Sequence, residues 1–307
     1  MIGARVNHPG WGTTIQDLGR LGVMSYGLTP GGAADIYALQ WANALLHNPR
    51  QAAALEILPG GFTLELEQDC MLAITGADLG ATCNDQPISN WSSWWAPKGG
   101  QLHFGLAQQG LRAYLAVAGG WQTPVCYGSR STVLREGLGG LAGRALISGD
   151  ALAIEPQSRQ PQRCVAQQWQ PNYASPLVLR YVPGYQHAAF DDLTPFHSAD
   201  YQLSPQSNRM GVRLEGPVLS LPDIEPQSEG IAMGTIQITG AGQPIVLLQE
   251  RQTVGGYWKL GSVGLYDCAQ LAQRAPGSSV SFQPVFIQDL QAERLQWQQF
   301  FNAQASS

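Results

Sequence analysis

The segment QSNRMGVRLEG, residues 206–216, sets Asn208, Arg209 and Arg213 among glycine and apolar residues. Charged residues make up 13% of the chain, so this is a local concentration of hydrogen-bonding capacity. A planar guanidinium and an amide offering both donor and acceptor match a small carbonyl or carboxylate. The same residues can also serve the fold, with Asn208 capping backbone groups and Arg209 pairing with an acidic residue across a β-turn. Arg213, inside the alternating VRLE, reads as structural. A second concentration is QDLGR, residues 16–20. Gln16 and Asp17 precede Gly19, which permits a tight turn, and Arg20 either meets a ligand or closes an ion pair with Asp17 or Asp35. A third is TVGGY, from Thr253 to Tyr257. Gly255 and Gly256 let backbone N–H groups approach a ligand closely, and Tyr257 adds an aromatic wall with a hydroxyl. A β-hairpin turn has the same composition.

Other chemistries find less support. GLGGLAG, residues 137–143, matches GxGxxA, yet SGDALAI returns to a strand where a dinucleotide fingerprint needs a helix. No GxxxxGK[ST] occurs, so a nucleotide must be held in another way or by another chain. The five histidines, His8, His47, His103, His187 and His197, show no HExxH spacing, and no metal ligands are assigned. There is no GxSxG elbow, and Ser129 in YGSRS reads as part of a turn. The two lysines, Lys98 and Lys259, lie outside any Met-Lys-Met turn, so biotin is carried by a partner if it is used. Five cysteines without a CxxC pair disfavour zinc ribbons and a disulfide framework, and read as buried reduced thiols. A net charge of -5 with no basic stripe disfavours nucleic acid. No leader and no membrane-spanning apolar run is evident, so a cytoplasmic protein is expected.

These segments need elements to hold them. DIYALQWANALLHNP places Ile36, Leu39, Asn43 and Leu46 on one helical face, with Asp35 as N-cap and Asn48-Pro49 as the stop. ALEIL, FTLELE and CMLAITG follow as an expected antiparallel meander, with Phe62, Leu64 and Leu66 on one face. QLHFGLA, LRAYLAVAG and DALAIEP continue the pattern of a β-barrel or sandwich. Gln and Pro crowd residues 155–176, which marks a boundary between domains 1–160 and 161–307. Beyond it LVLRYVPG, GVRLEGPVL, GTIQITG, QPIVLLQ and SVSFQPV read as strands and YDCAQLAQRA as a helix. A last helix runs through IQDLQAERLQWQQFFNAQ with Ile287, Leu290 and Leu295 facing the body. The expected architecture is mainly β with a few helices, in two domains with a cleft between them.

TTIQDLGRLGVMSYGLTPGGAADIYALQWAN, YLAVAGG, GLGGLAGR, SNRMGVRLEG and QPIVLLQERQTVGGY together resemble the biotin-dependent carboxyltransferase family. That family contains the C subunit of bacterial 5-oxoprolinase, the carboxyltransferase domain of urea carboxylase (also labelled allophanate hydrolase subunit 2) and KipA-type regulatory proteins. The resemblance implies two cyclophilin-like β-barrel domains. It also implies partners: a KipI-like subunit and, for 5-oxoprolinase, a LamB/YcsF-like one as well. A role in catalysis is implied for Asn208, Arg209 and Glu250. Gln16, Asp17, Arg20, Asp35, Thr253, Gly255, Gly256 and Tyr257 are implied in binding a small amide or lactam. ATP-dependent opening of 5-oxoproline by a hetero-oligomer is the activity expected from it. Carboxyl transfer from partner-borne carboxybiotin to urea or a related amide, and KipA-type regulatory binding, are the alternatives. The family pattern Asp then Thr-Thr-Gly-Gly-Tyr-Pro is replaced here by Glu250 then Thr253-Val254-Gly255-Gly256-Tyr257-Trp258.

Overall fold

The computed structural model describes residues 2–305. They form a mainly β protein with four α-helices, α1 (Ile36–Ala44), α2 (Thr194–Ser198), α3 (Leu265–Leu271) and α4 (Ile287–Ala305). The chain divides into two compact units. The first comprises the N-terminal stretch through Gly22, Gly31–Tyr173 and the chain from Gln298 onward; the second comprises Val23–Pro30 and Ala174–Trp297. No described helix is long and apolar enough to cross a membrane.

The first unit holds two open sheets, of six and five strands, rather than a closed barrel. The expected meander does not form. Phe62–Leu66 pairs with Ile2–His8 and Gln101–Phe104, while Ala54–Ile57 pairs with Thr14–Gln16 and Gln109–Val117. The three strands expected as a meander, Ala54–Ile57, Phe62–Leu66 and Cys70–Asp78, thus alternate between the sheets, each turning an apolar face to one shared core. Phe62, Leu64 and Leu66 enter that core at 0–1% exposure beside Leu55, Ile57 and Leu115. Asp35 caps α1 as its position predicts, its carboxylate accepting from Ala38 N–H at 2.9 Å. The helix ends at Ala44, ahead of the expected Asn48-Pro49 stop, and His47 takes φ 53°.

The second unit is built on a closed seven-strand barrel. Its order is Leu177–Pro183, Trp258–Val263, Thr235–Ile238, Pro244–Leu247, Gly211–Glu215, Tyr201–Leu203 and Ser279–Pro284. The last strand closes on the first in parallel, and the other pairs are antiparallel. Ile236, Ile238, Val246 and Leu260 lie at 0–1% exposure, one strand face apiece. A small ribbon, Glu229–Gly230 against Val254–Gly255, accompanies the barrel. In α4, Ile287 and Leu295 are half exposed, contrary to expectation. The helix is held instead by aromatic residues, Trp297 against Tyr266 at 6.0 Å in the second unit and Phe301 against Trp41 at 5.4 Å in the first. The cysteines are free; Cys70 and Cys268 are buried as expected, whereas Cys83 and Cys126 are partly exposed and Cys164 is exposed.

Candidate functional site

In the first unit QDLGR folds into a closed polar knot. The Asp17 carboxylate accepts from Gly19 N–H at 2.8 Å and from Ser129 Oγ, Ser131 Oγ and Arg130 N–H at 2.6 Å each. Three of these donors converge on Oδ1 and the Arg130 N–H serves Oδ2, so both oxygens of this buried carboxylate are engaged. Arg20, 1% exposed, pairs with neither Asp17 nor Asp35; its Nε donates to Cys126 O at 3.1 Å and its Nη2 to Ser131 O at 2.5 Å. Gly139, at φ 70°, leaves room for that guanidinium, since a Cβ there would meet Ser131 O and Arg20 Nη2. The glycine of GLGGLAG closest to Arg20 therefore makes room for an arginine, and no α-helix opens at the segment. Gln16 Nε2 donates to Thr14 Oγ1 at 3.0 Å and Thr132 O at 3.1 Å. Gln16 Oε1 and Arg20 Nη1 are buried without partners.

Asp35 belongs to a separate network. Besides its cap, its carboxylate accepts from Tyr173 Oη at 3.0 Å, and its N–H donates to Tyr114 Oη at 2.7 Å. Tyr114 in turn donates to Glu56 Oε2 at 2.7 Å. Burial raises the phenols of Tyr114 and Tyr173 well above the usual range, with the neighbouring carboxylates adding to it. Both remain neutral donors.

In the second unit the expected residues cluster around the barrel's outer face. Asn208 is exposed and closes a turn: its N–H and C=O both pair with Gly211, and its Oδ1 accepts from Met210 N–H at 2.8 Å. Arg209 Nε meets Glu250 Oε1 at 2.5 Å, with the two side chains 16% and 9% exposed. Glu250 N–H also donates to Arg209 O at 2.9 Å, so side chain and backbone tie the two loops together. Thr253 O accepts from Ile231 N–H at 3.0 Å, and Gly255 pairs with Glu229 in the ribbon. A Cβ on Gly255 would lie 2.5 Å from Ile231 Cδ1 and 3.0 Å from Gln237 Nε2, so glycine is set here by close approach. Gly256 faces Ser228, and Tyr257 is 52% exposed. Trp258, the departure from the family pattern, is 6% exposed and edge-on to Phe190 at 5.8 Å. Its size is absorbed by packing.

A pocket of about 160 Å³ opens on this face. Asn208 and Tyr257 line it, together with Arg213, Gln237, Arg251 and Gln252 over an apolar base of Ile231, Ile245 and Leu247. Arg209, Glu250 and the ribbon glycines do not line it. The sequence reading missed Gln237 and Arg251 and took Arg213 as structural. Arg251 is 6% exposed, its Nε donates to Ile231 O at 3.2 Å, and burial lowers its affinity for a proton. GTIQITG carries one polar residue between isoleucines, and that alternation was the available signal for Gln237.

Over 304 residues the chain is 38% identical to the 5-oxoprolinase C subunit of Escherichia coli, covering 97% of this chain and 96% of that protein. It is 34% identical to the 5-oxoprolinase C subunit of Haemophilus influenzae, over 90% of this chain and 89% of that one. The crystal structure of the Kluyveromyces lactis urea amidolyase superposes with a TM-score of 0.88 at 25% identity, covering 98% of this chain and 20% of that much longer one. Residues 26–284 match the family described as carboxyltransferase domain, subdomain A and B, and the chain belongs to that family.

Proposed function

We propose that the chain is the C subunit of a hetero-oligomeric 5-oxoprolinase, working with a KipI-like subunit and a LamB/YcsF-like subunit. The observation that carries this reading is end-to-end likeness to a whole subunit of that name at 38% identity. In the reaction, water adds to the lactam carbonyl, the ring C–N bond breaks and glutamate leaves, with ATP hydrolysis supplying the driving force. The two lysines of this chain are poorly placed for a triphosphate. Lys98 sits at an exposed turn, and Lys259 is tied to Glu229 at 3.2 Å and to Tyr257 O at 3.0 Å. ATP is a requirement of the whole complex in this reading, and no step on this chain runs through it.

The chain's own contribution is to bind and orient the lactam. Asn208 and Tyr257 present polar groups to the pocket, and the Arg209–Glu250 pair positions the turn that carries Asn208. Thr253, Gly255 and Gly256 hold the ribbon beside it. Orientation of this kind lowers the entropic part of the barrier. Gln16, Asp17, Arg20 and Asp35 support the first unit, with the free Nη1 of Arg20 as the group there able to meet an anion.

Purified chain with 5-oxoproline and ATP is expected to give no glutamate, and the mixture of all three subunits to give glutamate and ADP in equal amounts. A mixture that consumes urea with carboxybiotin and leaves 5-oxoproline untouched would replace this reading with the carboxyl-transfer one, for which the likeness to urea amidolyase speaks.

A further inference from the structure

A row of three residues from adjacent strands crosses the barrel pocket. Arg213 is the register partner of Ile245, and Ile245 is the register partner of Gln237, on three adjacent strands. Strands lie roughly 4.8 Å apart, so Arg213 and Gln237 stand about 10 Å apart at their Cα atoms with Ile245 between them. Gly211 and Leu247 form the next row on the same face. Gln237 also pairs with Lys259 where the ladder slips between Ile236 and Gln237, an irregularity that re-aims a side chain.

Both ends of this row are uncommitted. Gln237 is 5% exposed, yet its Nε2 has no hydrogen-bond partner, and its side chain makes no bond among the described residues. A buried amide left unpaired is costly and calls for an explanation. The guanidinium of Arg213 is exposed to the pocket and makes no hydrogen bond or ion pair among the described residues. The remaining arginine of the pocket, Arg251, is engaged at all three nitrogens, Nε donating to Ile231 O, Nη1 to Leu248 O and Nη2 to Met24 Sδ.

We infer that Gln237 and Arg213 read the two ends of a small ring lactam bearing a carboxylate. A primary amide offers a donor and an acceptor side by side. A lactam, fixed cis by its ring, offers the complementary carbonyl and N–H side by side, whereas an open-chain secondary amide, trans at equilibrium, does not. Gln237 thus selects the ring amide, Ile245 and Leu247 bed the ring methylenes, and Arg213 pairs with the carboxylate at the far end. The volume, about 160 Å³, is below the roughly 300–1,000 Å³ of sites for drug-sized ligands, which suits so small an occupant. The inference rests on the 5-oxoprolinase reading for its substrate class.

The test is calorimetric titration of the assembled complex of all three subunits, without ATP, using 5-oxoproline and 2-pyrrolidinone, the same ring without the carboxylate. Gln237→Leu should weaken both ligands at least tenfold. Gln237→Glu, which keeps the size and loses the amide N–H, should weaken both as well. Arg213→Met should weaken 5-oxoproline at least tenfold and leave 2-pyrrolidinone unchanged. Melting temperatures, taken alongside, establish that each variant is folded. Wild-type affinity for 5-oxoproline in folded Gln237→Glu and Arg213→Met overturns the inference, as does a wild-type complex that binds neither ligand. Glutamate formation by the wild-type complex is scored separately, so a wrong pocket and a wrong enzyme give different results.

Discussion

The polar residues of the first unit and those of the barrel's outer face have similar composition and opposite fates. Asp17 accepts from four fixed donors, and Asp35 is spent on Ala38 N–H and the Tyr173 hydroxyl. On the barrel, Gln237 is as buried as Asp17, at 5% each, and has no partner. A fold that consumes every lone pair and donor of a side chain has left nothing for a ligand. Burial alone therefore does not mark a site; burial with an unspent hydrogen-bonding group does. By that measure we propose the barrel pocket as the binding surface and the Asp17 carboxylate as its counterpart in stability, while Gln16 Oε1 and Arg20 Nη1 beside that carboxylate stay unspent and meet the same criterion.

The sharpest way to break this contrast is Asp17→Ala. It removes a charged acceptor and leaves the Arg130 N–H and two serine hydroxyls facing a void. Hydrogen bonds to charged groups contribute about 1.5–3 kcal/mol each and do not add fully, so a loss on the order of 4 kcal/mol or more is expected in urea denaturation. A variant with wild-type stability and lost turnover would move Asp17 from clasp to site.

Next in size is the Arg209–Glu250 pair, which lies between the two categories. Both partners are largely buried, so Arg209→Met should cost about 3 kcal/mol by stranding Glu250, and Glu250→Leu a similar amount by stranding the arginine. The double variant should be more stable than the sum of the single losses implies. Arg209→Lys should fall between wild type and Arg209→Met, because lysine keeps the charge and loses the planar fork. Stability retained together with a hundredfold fall in kcat/KM would place Arg209 with the pocket residues instead.

Gly255→Ala sharpens the comparison on the barrel side. Its Cβ would press on Ile231 and on the Gln237 amide, and overpacking of this kind costs about 1–3 kcal/mol. Because the added methyl displaces Gln237, KM for 5-oxoproline in the complex should rise more than the melting temperature falls. Gly61→Ala in the first unit is the control. Nothing lies within 4 Å of its Cβ, and only its φ of 78° is unfavourable, so it should cost stability without touching KM.

Much of this was legible in the sequence. The Phe62, Leu64, Leu66 alternation, the Asp35 cap and the strands of the second half are local patterns, and local rules suffice for them. Strand pairing was not legible, since whether Phe62–Leu66 joins its neighbour or Ile2–His8 depends on contacts between distant residues. The family segments gave Asn208 and Tyr257, which do line the pocket. Arg213 and Gln237 come together only through the register of three strands, and VRLE and TIQI read singly as ordinary strand alternation.

The smallest expected effect separates the two units by pH. In the barrel unit His197 Nε2 lies 2.8 Å from the Tyr181 hydroxyl, and its ring stacks on Tyr181 with centroids 6.2 Å apart. Burial, and then the neighbouring His187, lower its pKa below 6.5. A histidine with a depressed folded-state pKa binds its proton more readily when unfolded. Stability from this group is therefore present above 6.5 and falls as pH drops through the window beneath it. The carboxylates with depressed values act lower still. Asp150 of the first unit, held down by Arg144, begins to lose its contribution only as pH falls below its ordinary 3.8, and Glu229 of the second below its ordinary 4.5. Between about pH 5 and pH 6.5 the histidine acts alone among these groups. His197→Gln keeps an amide for Tyr181 and cannot titrate, so its melting temperature should be flatter with pH across that interval than the wild type's. Equal slopes for the two proteins would mean that His197 takes up its proton in the folded barrel as readily as in the unfolded chain, and that its burial against Tyr181 does not make the second unit acid-sensitive.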